Sequence, residues 1–258
     1  MSKSIIRLED VCFSYESEMV LKHLSADLAE QQIHFVMGNN GSGKTTLLKT
    51  MMGFLQPQKG RVLFNGADIS SVDKRTMSRI VSYVPQAIYL NSDFSVIEYL
   101  SLGRTPYLDF SSKLSEEDYQ IIEKYSVKLG VDLIYGMPFN KLSGGQKQMV
   151  AITRSLVQDT PLIIMDEPMS ALDIGRQVEL LKRLRELVES NKTIIMTTHN
   201  PNHAIATESN ACFLKNGEIV AYGKSSDIIQ EDLLHDIYGA NVALEHGVRT
   251  DAVVFDMS

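Results

Sequence analysis

One stretch near the start, Gly38-Asn39-Asn40-Gly41-Ser42-Gly43-Lys44-Thr45, has the spacing G-x-x-x-x-G-K-[ST]. The chemistry open to it is phosphate binding. Its glycines let the backbone curl until successive N–H groups face inward, and a helix opening at Thr46 adds the partial positive charge of its N-terminus. Lys44 can then reach the β and γ phosphates of a nucleotide, and the Thr45 hydroxyl can ligate Mg²⁺. A second pair, Asp166-Glu167, ends the apolar run Leu162-Ile163-Ile164-Met165 and precedes Pro168. Charge at the end of a buried strand is costly unless it is used. Strand side chains alternate, so the two carboxylates point apart and serve different roles. Asp166 suits the Mg²⁺ shell, directly or through water, and Glu167 suits the general base that polarises an attacking water.

Both motifs need a strand before them and a helix or turn behind. Short β-rich runs stand at Ile33 to Met37, Val62 to Phe64, Ile80 to Val84, Leu162 to Met165 and Thr193 to Met196, with helical patterns between several of them. That alternation predicts a largely parallel sheet covered on both faces. Between Val96 and Leu156 the pattern turns mainly helical. Ile121, Ile122, Tyr125 and Leu129 share one face, Ser115 is placed to cap that helix and Gly130 to stop it. Near the end, Asn216-Gly217 between Ala211 to Lys215 and Glu218 to Ala221 predicts an antiparallel hairpin.

The 258 residues, 44% of them hydrophobic, suffice for a substantial core. No apolar run approaches the roughly 18 residues of a membrane-spanning helix, and the opening MSKSIIRLED lacks the apolar run of a signal peptide. The net charge of −7 argues against a nucleic-acid partner, which calls for a basic face. Cys12 and Cys212, far apart and flanked by apolar residues, predict buried thiols without metal or redox roles.

Leu142-Ser143-Gly144-Gly145-Gln146 resembles the signature sequence of ABC ATPases and stands where that family carries it, ahead of the second carboxylate motif. The resemblance covers the chain from Ile6 to about Gly223. It implies an α/β P-loop NTPase core with a mostly parallel sheet, an antiparallel β subdomain and an inserted helical subdomain. As one domain, residues 1–87 and 161–224 would form the core and β subdomain, 88–160 the helical subdomain, and 225–258 a closing helix and tail. It further implies that Tyr15 stacks on adenine, that Gln86 senses Mg²⁺ and the nucleophilic water, that His199 contacts the γ-phosphate, and that Asp173 lies in a loop communicating across a dimer. Ser143, Gly145 and Gln146 would contact ATP held by the other subunit, so that two copies, or this chain and a close homologue, close around two ATP molecules with Mg²⁺.

By the same resemblance the chain would sit on the cytoplasmic face of the cell membrane, held by integral permease subunits and served indirectly by a periplasmic or surface substrate-binding protein. Two departures stand out: Lys147-Gln148-Met149 lacks an arginine common after the signature, and Asn39 replaces a frequent proline. The segment Asp93 to Val96 followed by Leu102-Gly103-Arg104-Thr105-Pro106-Tyr107 resembles ATPases that import iron-siderophores, haem or vitamin B12. Importers of molybdate or tungstate are also similar, and export is the other direction open. The stretch from Gln86 to Tyr107 is where permease docking is expected.

Overall fold

The structure is a computed structural model describing residues 3–88, 93–109, 112–239, 242–247 and 251–255. In chain order its elements are β1 (Ser4–Tyr15), β2 (Glu18–Ala29), β3 (Ile33–Met37), α1 (Lys44–Met51), β4 (Lys59–Phe64), β5 (Ala67–Asp68), α2 (Lys74–Ile80), β6 (Val81–Val84), α3 (Val96–Ser101), α4 (Glu116–Leu129) and α5 (Gly144–Val157). They continue with β7 (Leu162–Met165), α6 (Ile174–Glu189), β8 (Thr193–Thr197), α7 (Asn202–Thr207), β9 (Asn210–Lys215), β10 (Glu218–Lys224), α8 (Ser225–Ile228), α9 (Glu231–Tyr238), β11 (Val242–His246) and β12 (Asp251–Phe255). The chain divides into two compact units, Met1–Val72 with Leu180–Ser258, and Asp73–Glu179.

In the first unit, β1 pairs antiparallel with β2 on one side and with β4 on the other, giving the sheet order β2-β1-β4-β5. Ile5, Ile6, Leu8 and Val11 bury this sheet's central strand. A second sheet is built around β3, whose residues are all buried, as its unbroken apolar run requires. β8 and β9 pair parallel to β3, one on each side, and β10 returns antiparallel to β9 through Asn216-Gly217 as the turn signal predicts. Cys12 and Cys212 are buried, unpaired thiols, and burial pushes the Cys212 pKa up to about 12.

His34 on β3 is 1% exposed, and its Nε2 lies 2.8 Å from the Ala29 carbonyl, so this nitrogen carries the proton and donates. Burial pushes its pKa down from 6.5 to about 4. The folded state therefore resists protonation more than the unfolded chain does. The stability this group contributes is full above about pH 6.5 and is lost as pH falls from there toward 4. Between about pH 7.5 and 5 the loss should be about 2 kcal/mol. Denaturant titrations at those two values check it. His34→Gln keeps a donor toward Ala29 and should remove that share of the pH dependence; an unchanged dependence would contradict the assignment.

In the second unit, β6 and β7 pair parallel, Val81 to Val84 against Leu162 to Met165. The strand expected from Ile80 starts one residue later, because Asp73 caps α2 by accepting from the Arg75 and Thr76 amides and the helix holds Ile80. The expected helical stretch is α3, α4 and α5, each opened by a serine whose hydroxyl and a Glu, Asp or Gln three residues on exchange bonds with each other's backbone. Ser115 and Gly130 bound α4 as expected; Ile122 and Tyr125 are its buried face. Tyr99 and Phe139 pack at 4.5 Å between ring centroids in this unit's core, with Leu100, Val150 and Ile152 also fully buried.

Residues 225–258, expected as a closing helix and tail, instead hold two short helices and a two-stranded hairpin, with β11 and β12 in register from Val242↔Phe255 to His246↔Asp251. Asn202 on α7 fastens the hairpin by donating to the Val253 carbonyl (3.1 Å) and accepting from its amide (2.8 Å). Such a clamp joins residues too distant in sequence for a local pattern to show it. No helix among the described residues is long and apolar enough to cross a membrane.

Candidate functional site

The glycine-rich loop leaves β3 at Gly38, whose φ of 144° places a hypothetical Cβ 2.1 Å from the Leu214 carbonyl oxygen; only glycine fits there. The loop turns through Ser42 N–H donating to Asn39 O, and α1 begins at Lys44 without a side-chain cap. Its first-turn amides therefore face the loop. The Lys44 ammonium is buried and donates to the Gly38 and Asn39 carbonyls at 2.8 and 3.0 Å. The Ser42 hydroxyl is buried without a partner, an orphan that a phosphate oxygen would satisfy. A helix N-terminus, a buried cation and an unsatisfied hydroxyl make one anion cradle. Gly41 borders open space, Thr45 follows on the first turn, and Thr46 is buried behind it.

Asn40 is exposed, and so is Asn39, but the Asn39 amide donates to the Ile237 carbonyl at the end of α9. A proline in its place could not make this tie, which the sequence had not suggested. Tyr15, the last residue of β1, is 45% exposed and meets Phe13 edge-on at 4.9 Å, so much of its ring is accessible for stacking. His199 is exposed just beyond β8. Its turn is pinned by the Thr198 hydroxyl, which accepts from the Asn200 amide at 3.1 Å and lies 2.9 Å from His203 Nδ1. Burial, and then the nearby His199, push the His203 pKa down to about 4, which keeps this supporting ring neutral. The role of His203 was missed, because a histidine on a short apolar helix carries no distinguishing pattern.

In the second unit, Asp166 is 2% exposed and its amide donates to Val84 O at 2.9 Å, extending the parallel pairing past the end of β7. Glu167 then takes φ 45°, and the Ser170 amide and hydroxyl both donate to its carbonyl. Both carboxylates thus stand past the end of β7, where strand alternation no longer governs them; their environments differ instead, Asp166 being buried and Glu167 half-buried. Gln86 reaches the latter, donating from Nε2 to Glu167 Oε2 at 3.1 Å and keeping its own carbonyl oxygen as a ligand atom. Burial and the Asp166 charge push the Tyr83 hydroxyl up to about 12, so a neutral phenol neighbours the carboxylate. Within this unit Asp166 and Gln86 offer oxygen atoms, the ligand type that Mg²⁺ takes.

Ser143 caps α5, with the Gln146 side chain accepting from the Ser143 amide at 2.9 Å and the Gln146 amide donating back to Ser143 Oγ at 3.3 Å. Gly145 lies under the Ala171 carbonyl, where an added Cβ would sit at 3.1 Å. Asp173 opens α6 by accepting from the Arg176 amide. Each unit thus assembles its own set: the cradle, Tyr15 and His199 in one, and Gln86, Asp166, Glu167, Ser143 to Gln146 and Asp173 in the other.

The ABC transporter family profile matches residues 21–170, more than half the chain. This chain belongs to the ABC transporter ATP-binding family. It is an ABC-type ATPase with the α/β fold of that family, as the sequence resemblance implied. The achromobactin transport ATP-binding protein CbrD of Dickeya dadantii is 33% identical to it, over 90% of this chain and 87% of that one. The iron(3+)-hydroxamate import ATP-binding protein FhuC of Bacillus subtilis is 30% identical, over 95% and 92% respectively. An inward-facing structure of a metal-chelate type ABC transporter superposes with a TM-score of 0.84 at 26% identity, covering 98% of this chain and 97% of that one. The ABC ATPase is therefore similar along nearly its whole length to relatives named for achromobactin transport and for iron(3+)-hydroxamate import.

Proposed function

We propose that this ABC ATPase is the motor subunit of an importer for metal chelates, of which iron-siderophores are the first candidate and haem and cobalamin the others. The observation that carries the cargo is the near full-length similarity to ATP-binding proteins named for achromobactin transport and iron(3+)-hydroxamate import. Gly38 to Thr46 bind the phosphates and Tyr15 the adenine. Thr45, Asp166 and Gln86 hold Mg²⁺, which when bound neutralises charge on the phosphate oxygens. Glu167 takes the proton of the attacking water, Gln86 orients that carboxylate, and His199 donates toward the γ-phosphate.

Ser143, Gly145 and Gln146 complete the site of a second copy, with Asp173 relaying between the two. Nucleotide binding then joins the protomers and hydrolysis releases them. Integral permease subunits hold the chain at the membrane and pass the motion to cargo delivered by a binding protein. The described part of the docking stretch offers Phe94 and Leu102 as exposed apolar side chains, whereas Gly103 and Arg104 are buried; residues 89–92 lie outside the described residues.

Whole-cell elemental analysis of the source organism carrying Glu167→Gln, grown with scarce iron, cobalt or molybdenum, tests the cargo. A selective fall in iron is expected. A fall in cobalt alone would move the reading to cobalamin, a fall in molybdenum or tungsten to oxyanion import, and no change with hydrolysis lost would overturn metal-chelate import.

A further inference from the structure

The stretch Leu102-Gly103-Arg104-Thr105-Pro106-Tyr107 forms a tight helical turn laid against the far end of α5. A Cβ added to Gly103 would stand 2.7 Å from the Arg154 carbonyl oxygen and 3.1 Å from Val157 Cγ1, so the two backbones touch and a larger residue would push them apart. Arg104, 6% exposed, donates from Nη1 to the Val157 carbonyl at 2.9 Å and from Nε to Asp118 Oδ1 at 2.8 Å. Its guanidinium lies 4.2 Å from the Tyr107 ring centroid, and the Tyr107 hydroxyl donates to the Gln158 carbonyl at 3.0 Å.

The last carbonyls of a helix have no partner within it. For α5, those of Val157 and Gln158 are satisfied by this separate turn, which also brings a positive charge to the negative end of the helix dipole. The clasp is anchored elsewhere in the same unit. Asp118 accepts from the Ser115 amide and hydroxyl at the start of α4, and Arg79 on α2 donates to the Pro106 carbonyl at 2.9 Å. Gln158 Nε2 donates to the Ser78 and Val81 carbonyls at 2.6 and 3.1 Å.

We propose that Gly103 to Tyr107 is a clasp fixing the direction of α5, and that Arg104 is a positioning residue for the signature Ser143 to Gln146 at the other end of that helix. α5 has 14 residues and so runs about 20 Å. A tilt of about 3° at its held end displaces the signature by about 1 Å, a misplacement that can cost about a hundredfold in a reacting site. The clasp belongs to the stretch assigned to permease docking. A push on that stretch would therefore be delivered to the signature helix through Arg104 and Tyr107. This inference rests on the reading that the signature closes the ATP site of a second copy.

The test is MgATP-driven dimerisation, followed by sedimentation in a Glu167→Gln background, with ATP affinity of the monomer and thermal midpoint measured beside it. Arg104→Lys keeps a charge for Asp118 but loses the fork and its stacking, and Tyr107→Phe loses only the hydroxyl. Dimerisation should need about tenfold more protein for Arg104→Lys and about threefold more for Tyr107→Phe, with monomer ATP affinity within about twofold of the parent. Dimerisation of both variants at the parental concentration would overturn the clasp alone. A parallel loss of ATP affinity and thermal midpoint would also overturn it, by reducing Arg104 to general packing. Failure of the Glu167→Gln parent itself to dimerise would overturn the signature reading and the inference with it.

Discussion

Glu167→Gln should lower ATP turnover by about a hundredfold or more while leaving ATP binding intact. The amide has nearly the shape of the carboxylate and retains an oxygen to accept the Gln86 Nε2 hydrogen bond, which is 3.1 Å long in the parent. The kinked backbone at Glu167 is held through its carbonyl by Ser170, a contact indifferent to the side chain. What disappears is the basicity of the group, since an amide cannot take a proton from water near neutral pH. Geometry and binding are kept and proton transfer is removed, so the loss should fall on kcat. Steady-state hydrolysis beside equilibrium dialysis with ATP separates the two. Turnover within a few-fold of the parent would remove Glu167 from the role of base, and lost binding would instead place it in holding nucleotide.

The parts legible in the sequence are those whose physics is local. Gly38, Lys44 and Thr45 are recognisable because a loop that turns its amides inward needs these types at these spacings; the strand before the loop is β3 as expected, while α1 begins at Lys44, two residues ahead of the expected Thr46. Asp166-Glu167 could be read because charge ending the buried run Leu162 to Met165 is conspicuous. Ser115 and Gly130 could be read as helix ends for the same reason of locality. What escaped depends on distant partners. Arg104 meets Val157 and Asp118, and Asn39 meets Ile237, across separations no periodicity encodes. The G-R-x-P stretch was legible as a family mark, whereas its physical task against α5 emerged only from packing. The terminal hairpin was missed because two strands of five residues each give a weak alternation without a strong turn signal, and its clamp, Asn202, lies far upstream.

Lys44→Ala should weaken ATP binding by about a hundredfold, or about 2.7 kcal/mol, within the range of charged hydrogen bonds to phosphate. The Lys44 side chain turns back into the glycine-rich loop. There the ammonium is 7% exposed and spends its donors on the Gly38 and Asn39 carbonyls, which would otherwise crowd the cradle with negative dipoles. It therefore holds the loop open and also supplies charge to the phosphates. Lys44→Arg separates these tasks. The planar guanidinium keeps the charge but cannot place three donors around a point in so enclosed a space, so binding should fall less than in Lys44→Ala while hydrolysis falls comparably in both. Calorimetric titration with ATP, with thermal unfolding to verify that both variants fold, decides the matter. Parental affinity in Lys44→Ala would mean that the helix N-terminus and loop amides alone hold the phosphates. Equal loss in both variants would show that ammonium geometry, rather than charge, sets the affinity.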